Sequence, residues 1–267
     1  SRSKSVRKRA MHAHDLQPDS VRDSGFPTVE QLRRGIILDR ITQSFWLVNH
    51  ELVSESVWDG NTYSETNGEG EHWAASFVKR GAVAVFFSSE SFRNPFPEGR
   101  PPYDQSWYFR GMPHHLEPAR ERALSEMHDL NFRCRNPTGA IITAAMWSDG
   151  ERFTAVEPWA EVYYHTSWVC RTHLLPPEEA LRWWWKGTGF ADSHMRAAWS
   201  LFERRLASTA DVIPVEPWEW RAFVEIADGA ADKVENAEEF LASVGITLEP
   251  YIDAPDTEPD DVAEGGT

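Results

Sequence analysis

The sequence predicts an α+β fold, with antiparallel strands in the first two-thirds and helices packed on one side, mainly after residue 175. Three observations carry this. Two β-rich runs, Trp73 to Lys79 and Ala82 to Phe87, are broken by Arg80-Gly81, the signature of a hairpin near 73–87. A second antiparallel pair, Ala140 to Trp147 and Arg152 to Val156, turns at Asp149-Gly150 and leads into a long strand from Glu161 to Leu174, so strands are expected across 140–174. Beyond residue 175 the apolar residues recur every three or four positions, with no βαβ alternation, heptad array or internal repeat.

Taken in order, residues 1–25 are polar and aperiodic and read as a disordered basic arm; the first ten carry five positive charges and no negative one. Thr28 with Gln31 three residues on is a capping pattern, and Val29, Leu32 and Ile36 follow at helical spacing. Over 40–54 a second helix and a strand through Phe45-Trp46-Leu47-Val48 are both compatible with the residues. Asp59-Gly60-Asn61 marks a turn between Trp58 and Tyr63. Pro118 opens a helix to Leu130, and Pro177 opens another that carries Glu178 and Glu179 in its first turn and stops at Lys186-Gly187. Helices are also expected over 192–206, over 217–227 with a stop at Gly229, and from Asn236 to Gly245. Beyond Pro250 six acids and four Pro or Gly residues leave almost nothing apolar, so 250–267 reads as a disordered acidic tail flanking a single globular domain over 26–249.

Charge is the most unequal property of the chain. From Asp211 to Thr267 there are 16 acidic residues against Arg221 and Lys233, whereas the first 210 residues hold 26 acids and 25 bases. Such polarity attracts cationic surfaces and repels nucleic acid at the C-terminal end. Thirteen tryptophans supply anchors for a core or an interface. The two cysteines, Cys134 and Cys170, are too few for a disulfide framework or a four-thiolate zinc site, and a reduced, cytoplasmic setting follows. The basic start leads into His12, His14 and Asp15 and not into an apolar h-region, and no run has the length of a membrane span.

Two stretches hold the candidate site residues. Ser88 to Leu116 lacks periodicity, and its Arg93, Trp107, Tyr108, Arg110 and His114 put guanidiniums beside aromatic planes, a surface for an anionic ligand or a protein partner. The expected strand from Glu161 to His173 puts Glu161, Tyr163, His165, Ser167, Arg171 and His173 on one face, which reads either as an acid–base site or as a water-facing surface. His115 and His165 are the candidate acid–base groups, with Arg110 as an anion clamp. His114-His115 alone makes a poor metal pair, and no metal or cofactor is expected. In Trp183-Trp184-Trp185, helical geometry turns Trp184 and Trp185 to the core with Leu181 and leaves Trp183 outward, another candidate partner contact.

No phosphate loop, dinucleotide fingerprint, nucleophile elbow or His-Glu-x-x-His occurs. The sequence therefore points to a non-enzymatic interaction protein, inhibitor- or immunity-like, that engages a basic protein partner. The alternatives are a small-molecule-binding protein or enzyme using the 88–116 loop with the polar face of 161–173, and a structural component of a larger assembly.

Overall fold

The computed structural model describes residues 20–48, 55–66, 70–94, 105–127, 140–166, 169–186, 188–229, 233–249 and 251. The first 19 residues of the expected arm, the acidic stretch over 252–267, Cys134 and Leu130 lie outside the described residues.

The architecture is the expected mixture: a five-stranded antiparallel sheet in the first two-thirds and helices gathered mostly after residue 170. Strands β1 (Glu55–Trp58), β2 (Thr62–Thr66), β3 (Glu71–Val78), β4 (Gly81–Ser88) and β5 (Ala144–Ser148) lie in sequence order. The β1–β2 turn pairs Trp58 with Tyr63, and the β3–β4 hairpin pairs Val78 with Gly81 around Lys79-Arg80. Gly81 is needed there twice over. Its φ is +120°, and a Cβ would lie 1.9 Å from the Ser148 carbonyl oxygen of β5. The second β segment is shorter than its sequence suggests, since beyond β5 only single bridges form, Trp147 with Thr154 and Thr28 with Arg152.

Alternation sorts the sheet into two faces. Tyr63, Trp73, Ala75, Phe77, Ala84, Phe86 and Met146 line one, in the larger apolar core. Ala74, Val83, Val85, Phe87, Ala145 and Trp147 line the other, in a second core. Both faces are covered, so β4 is buried at every position and reads as a continuous apolar run.

Helix α2 (Val29–Leu47) crosses the first face, which settles the choice left open over 40–47 in favour of helix. Thr28 caps it by accepting a 3.0 Å hydrogen bond from the Gln31 amide. The short helix α1 (Ser20–Asp23), inside the stretch assigned to the arm, buries Val21, and the Trp159 indole donates to its carbonyl at 3.0 Å. Helix α3 (Glu117–Ser125) and the 3₁₀ turns Gln105–Phe109 and His114–Leu116 belong to the second core.

The expected strand over 161–174 is not a strand. It is helix α4 (Trp159–His165), a break, and helix α5 (Arg171–Leu174). Trp159, Val162 and Tyr163 bury at positions i, i+3 and i+4, and Cys170, His173 and Leu174 repeat that spacing, so core burial overrides the β propensity of the Val-Tyr-Tyr run. Helices α6 (Pro177–Trp185), α7 (Asp192–Ala207), α8 (Pro217–Ile226) and α9 (Glu235–Ser243) then extend the first core. A two-residue parallel pair, β6 (Ile213–Pro214) with β7 (Ile246–Thr247), brackets α8 and α9. Among the described residues, no helix is long and apolar enough to cross a membrane.

Candidate functional site

Where α2, β2 and α5 meet under the sheet, the first core contains a knot of polar side chains. The stripe on α2 begins with Leu32 and Ile36 and continues through Asp39, Arg40 and Gln43, all buried. Strand β2 presents Tyr63 and Glu65 on the same sheet face, and register places Glu65 opposite Trp73. Helix α5 contributes His173.

The Tyr63 hydroxyl sits among the other three groups, 2.8 Å from Asp39 Oδ2, 3.2 Å from Glu65 Oε2 and 3.3 Å from His173 Nε2. His173 Nε2 is 3.5 Å from Asp39 Oδ2 and 3.6 Å from Glu65 Oε2. The Trp73 indole donates to Glu65 Oε2 at 2.9 Å, and the Gln43 amide donates to Asp39 Oδ2 at 2.7 Å. Arg40 donates from Nη1 to the Ser56 carbonyl and hydroxyl, both at 2.9 Å; Ser56 donates to Gln43 Oε1 at 2.8 Å, linking the guanidinium to the carboxylates. The Arg40 guanidinium also lies 3.6 Å above the Phe240 ring of α9.

Electrostatics follow from burial. Glu65 is pushed up to about 7, first by burial and then by the negative charge of Asp39, with His173 and the Trp73 and Tyr63 hydrogen bonds pulling the other way. Burial alone would lower His173, but the Asp39 charge and hydrogen bond, with Glu65, outweigh it and raise the imidazole. Tyr63 is held well above its ordinary value by burial and by both carboxylates. Cys170, free and buried, is pushed up to about 12 by burial, so it is an inert thiol. Asp39, Glu65 and His173 are the group, among the described residues, whose donor atoms converge closely enough to hold a metal ion.

The residues singled out from sequence distribute differently. Arg93, expected on a ligand or partner surface, is buried in a bidentate pair with Glu157, both contacts 2.6 Å, and also donates to the Thr143 carbonyl at 3.2 Å. Its guanidinium lies 5.7 Å from the ring of Tyr108, which is buried as well. Trp107 is half-buried against the second core. Arg110, His114 and His115 are exposed, and His115 Nε2 lies 3.3 Å from the Arg80 carbonyl.

His165 is buried, with Nδ1 2.8 Å from the Ser91 hydroxyl, and is pushed down to about 4, first by burial and then by the Arg93 charge. The 88–116 segment and the 161–165 stretch thus do meet, through Ser91, Phe92, Arg93 and His165. The mixed acid–base face proposed for a 161–173 strand does not exist, because two helices replace that strand and send His165 and His173 into separate environments. Trp183 is exposed at 51% and Trp185 reaches the core beside Phe45, as the helical reading expects, whereas Trp184 is half-buried and packs edge-on against Trp183 and not against the core.

A third feature is the outer surface of the C-terminal helices. Of the described carboxylates from Asp211 onward, Glu219 is buried, where the Ser200 hydroxyl and the Glu216 amide donate to it at 2.8 and 2.7 Å. Glu216 pairs with Arg204 and Glu225 with His194. Asp211, Asp228, Glu235, Glu238, Glu239 and Glu249 are exposed and form no ion pair among the described residues. On α8, Trp218 stands 42% exposed beside a cleft of about 300 Å³ lined by Ser193, Arg196, Ala222 and Glu225.

Comparison with protein-family models, with curated proteins and with solved structures finds no match.

Proposed function

We propose that this protein is a non-enzymatic interaction protein that engages a basic protein partner through the outer surface of α8 and α9. Two observations carry the reading: Asp211, Asp228, Glu235, Glu238, Glu239 and Glu249 are exposed and form no ion pair among the described residues, and Trp218 stands exposed beside a cleft on α8. Charge of one sign raises the encounter rate with a cationic surface, and a half-exposed tryptophan beside a cleft is the kind of anchor that supplies affinity. The exposed Trp218 face, whose indole donates to Glu216 Oε2 at 2.9 Å, suits a Lys or Arg side chain through a cation–π contact. Arg93 and Tyr108 of the 88–116 segment are buried and so form no part of this surface.

The test is capture of a partner from native lysate at low and high salt by the full-length protein, by a Glu235→Lys/Glu238→Lys/Glu239→Lys variant and by Trp218→Ala. A stoichiometric basic protein is expected at low salt, released at high salt and lost to the charge-reversed variant. Trp218→Ala should weaken the complex by about 2 kcal/mol, roughly 30-fold in Kd. Enrichment of no basic protein, or capture indifferent to the triple reversal, defeats the proposal.

A further inference from the structure

We propose that Asp39, Glu65 and His173, with the Tyr63 hydroxyl at the fourth vertex, form a closed binding site for one divalent transition-metal ion. Four ligands about 2.0–2.1 Å from a tetrahedral ion stand about 3.3–3.4 Å from one another. Of the six separations among Asp39 Oδ2, Glu65 Oε2, His173 Nε2 and Tyr63 Oη, five run 2.8, 3.2, 3.3, 3.5 and 3.6 Å and bracket that spacing. Loading exchanges the direct contacts of the Tyr63 hydroxyl for contacts to the ion and requires side-chain adjustments at the cluster.

Three further observations point to a cation rather than to hydrogen bonding alone. Asp39 is 2% exposed, yet its Oδ1 has no hydrogen-bond partner, an uncommon state for a buried carboxylate oxygen. Two buried carboxylates converge on one point, where a divalent ion would meet both at once, whereas Arg40 reaches them through Ser56 and Gln43. The surroundings also resemble the outer shell of a metal centre. Trp73 Nε1 orients Glu65, Gln43 Nε2 orients Asp39, and the Thr172 hydroxyl lies 3.4 Å from His173 Nδ1, leaving Nε2 to face the cluster.

The donor set selects the class of ion. Carboxylate, imidazole and phenol oxygen without thiolate suit zinc or manganese and disfavour soft monovalent copper. Exposures of 2%, 7%, 1% and 0% for Asp39, Glu65, His173 and Tyr63 make the site closed, and closed four-ligand sites are structural. The ion would join α2, β2 and α5, and its uptake would be coupled to folding.

The experiment uses the full-length chain, stripped with a chelator and titrated separately with Zn²⁺, Mn²⁺ and Co²⁺. Retained metal is measured after desalting, and the visible d–d bands of Co²⁺ report coordination. One equivalent of Zn²⁺ or Mn²⁺ is expected to be retained, with a rise in Tm, and Co²⁺ is expected to show tetrahedral bands that Zn²⁺ displaces. His173→Gln should abolish those bands, and Trp73→Phe should raise Kd by about 10- to 100-fold while keeping them. Exposed histidines such as His114 and His115 can also bind Co²⁺, and the His173→Gln arm separates their bands from those of the buried site. Should His173→Gln fail to fold, the wild-type protein still decides: absence of a stoichiometric ion and of tetrahedral bands overturns the proposal, as does survival of the bands in a folded His173→Gln.

Discussion

Replacing Gly35 by alanine tests how tightly α2 and α5 are locked. Gly35 sits inside α2, where intrinsic propensity alone makes alanine the better residue by about 1 kcal/mol. A Cβ at this position would lie 1.9 Å from the His173 carbonyl oxygen, 2.5 Å from its carbonyl carbon and 2.6 Å from its Cα. All three are backbone atoms, so no rotamer change relieves the overlap. The oxygen must retreat by more than 1 Å to reach ordinary contact, and α5 moves with it, carrying His173 away from Asp39 and Glu65. Overpacking of this kind costs about 1–3 kcal/mol, which reverses the sign set by propensity. Urea unfolding of Gly35→Ala against wild type reads the net effect, with Gly150→Ala as a control, since a Cβ there meets nothing within 4 Å. A second readout is Cys170, fully buried on the same stretch, whose thiol should react faster once α5 shifts. Equal or greater stability of Gly35→Ala, with Cys170 still protected, would refute the close approach and the placement of His173 that depends on it.

Other expectations are simpler. Arg93→Met strands the buried Glu157 carboxylate and should cost about 3–5 kcal/mol, while the double change Arg93→Met/Glu157→Leu should recover most of it; both are read by denaturant titration. His165, depressed to about 4 from an ordinary 6.5, contributes stability that is present above pH 6.5 and lost as pH falls through 4. The wild-type advantage over His165→Asn should therefore shrink by up to about 3 kcal/mol over that window, set first by burial and then by the Arg93 cation, with Glu161, 3.9 Å from Nε2, as the nearby carboxylate. Thr28→Ala should cost about 1 kcal/mol through the lost cap on α2, again measured by denaturation.

The fold was legible where local chemistry and tertiary packing agree. The β3–β4 hairpin combines two apolar, aromatic-rich runs with a glycine that the turn requires, and α7 and α8 carry apolar residues at helical spacing, α8 after the start signal of Pro217. Residues 161–174 misled because Val162, Tyr163, Tyr164 and Thr166 favour a strand locally. The contrary signals were Pro158 ahead of Glu161 and the spacing of Trp159, Val162 and Tyr163. The central cluster was harder to see because its members are far apart in sequence and none belongs to a motif. Its one local trace is on α2, where Asp39, Arg40 and Gln43 continue the stripe begun by Leu32 and Ile36; charged and amide groups on a core-facing stripe need buried partners. Arg93 and Tyr108 failed as surface residues for the opposite reason. A charged or phenolic side chain in an aperiodic segment looks exposed until Glu157, distant in sequence, comes into view.

Anomalous diffraction tests the buried centre most directly. Crystals of the full-length protein grown with Zn²⁺ or Mn²⁺ would be measured above and below the absorption edge of that metal. A single strong peak within bonding distance of Asp39, Glu65 and His173 is the expected result. Peaks confined to surface carboxylates, with the four side chains still hydrogen-bonded directly to one another, would contradict it.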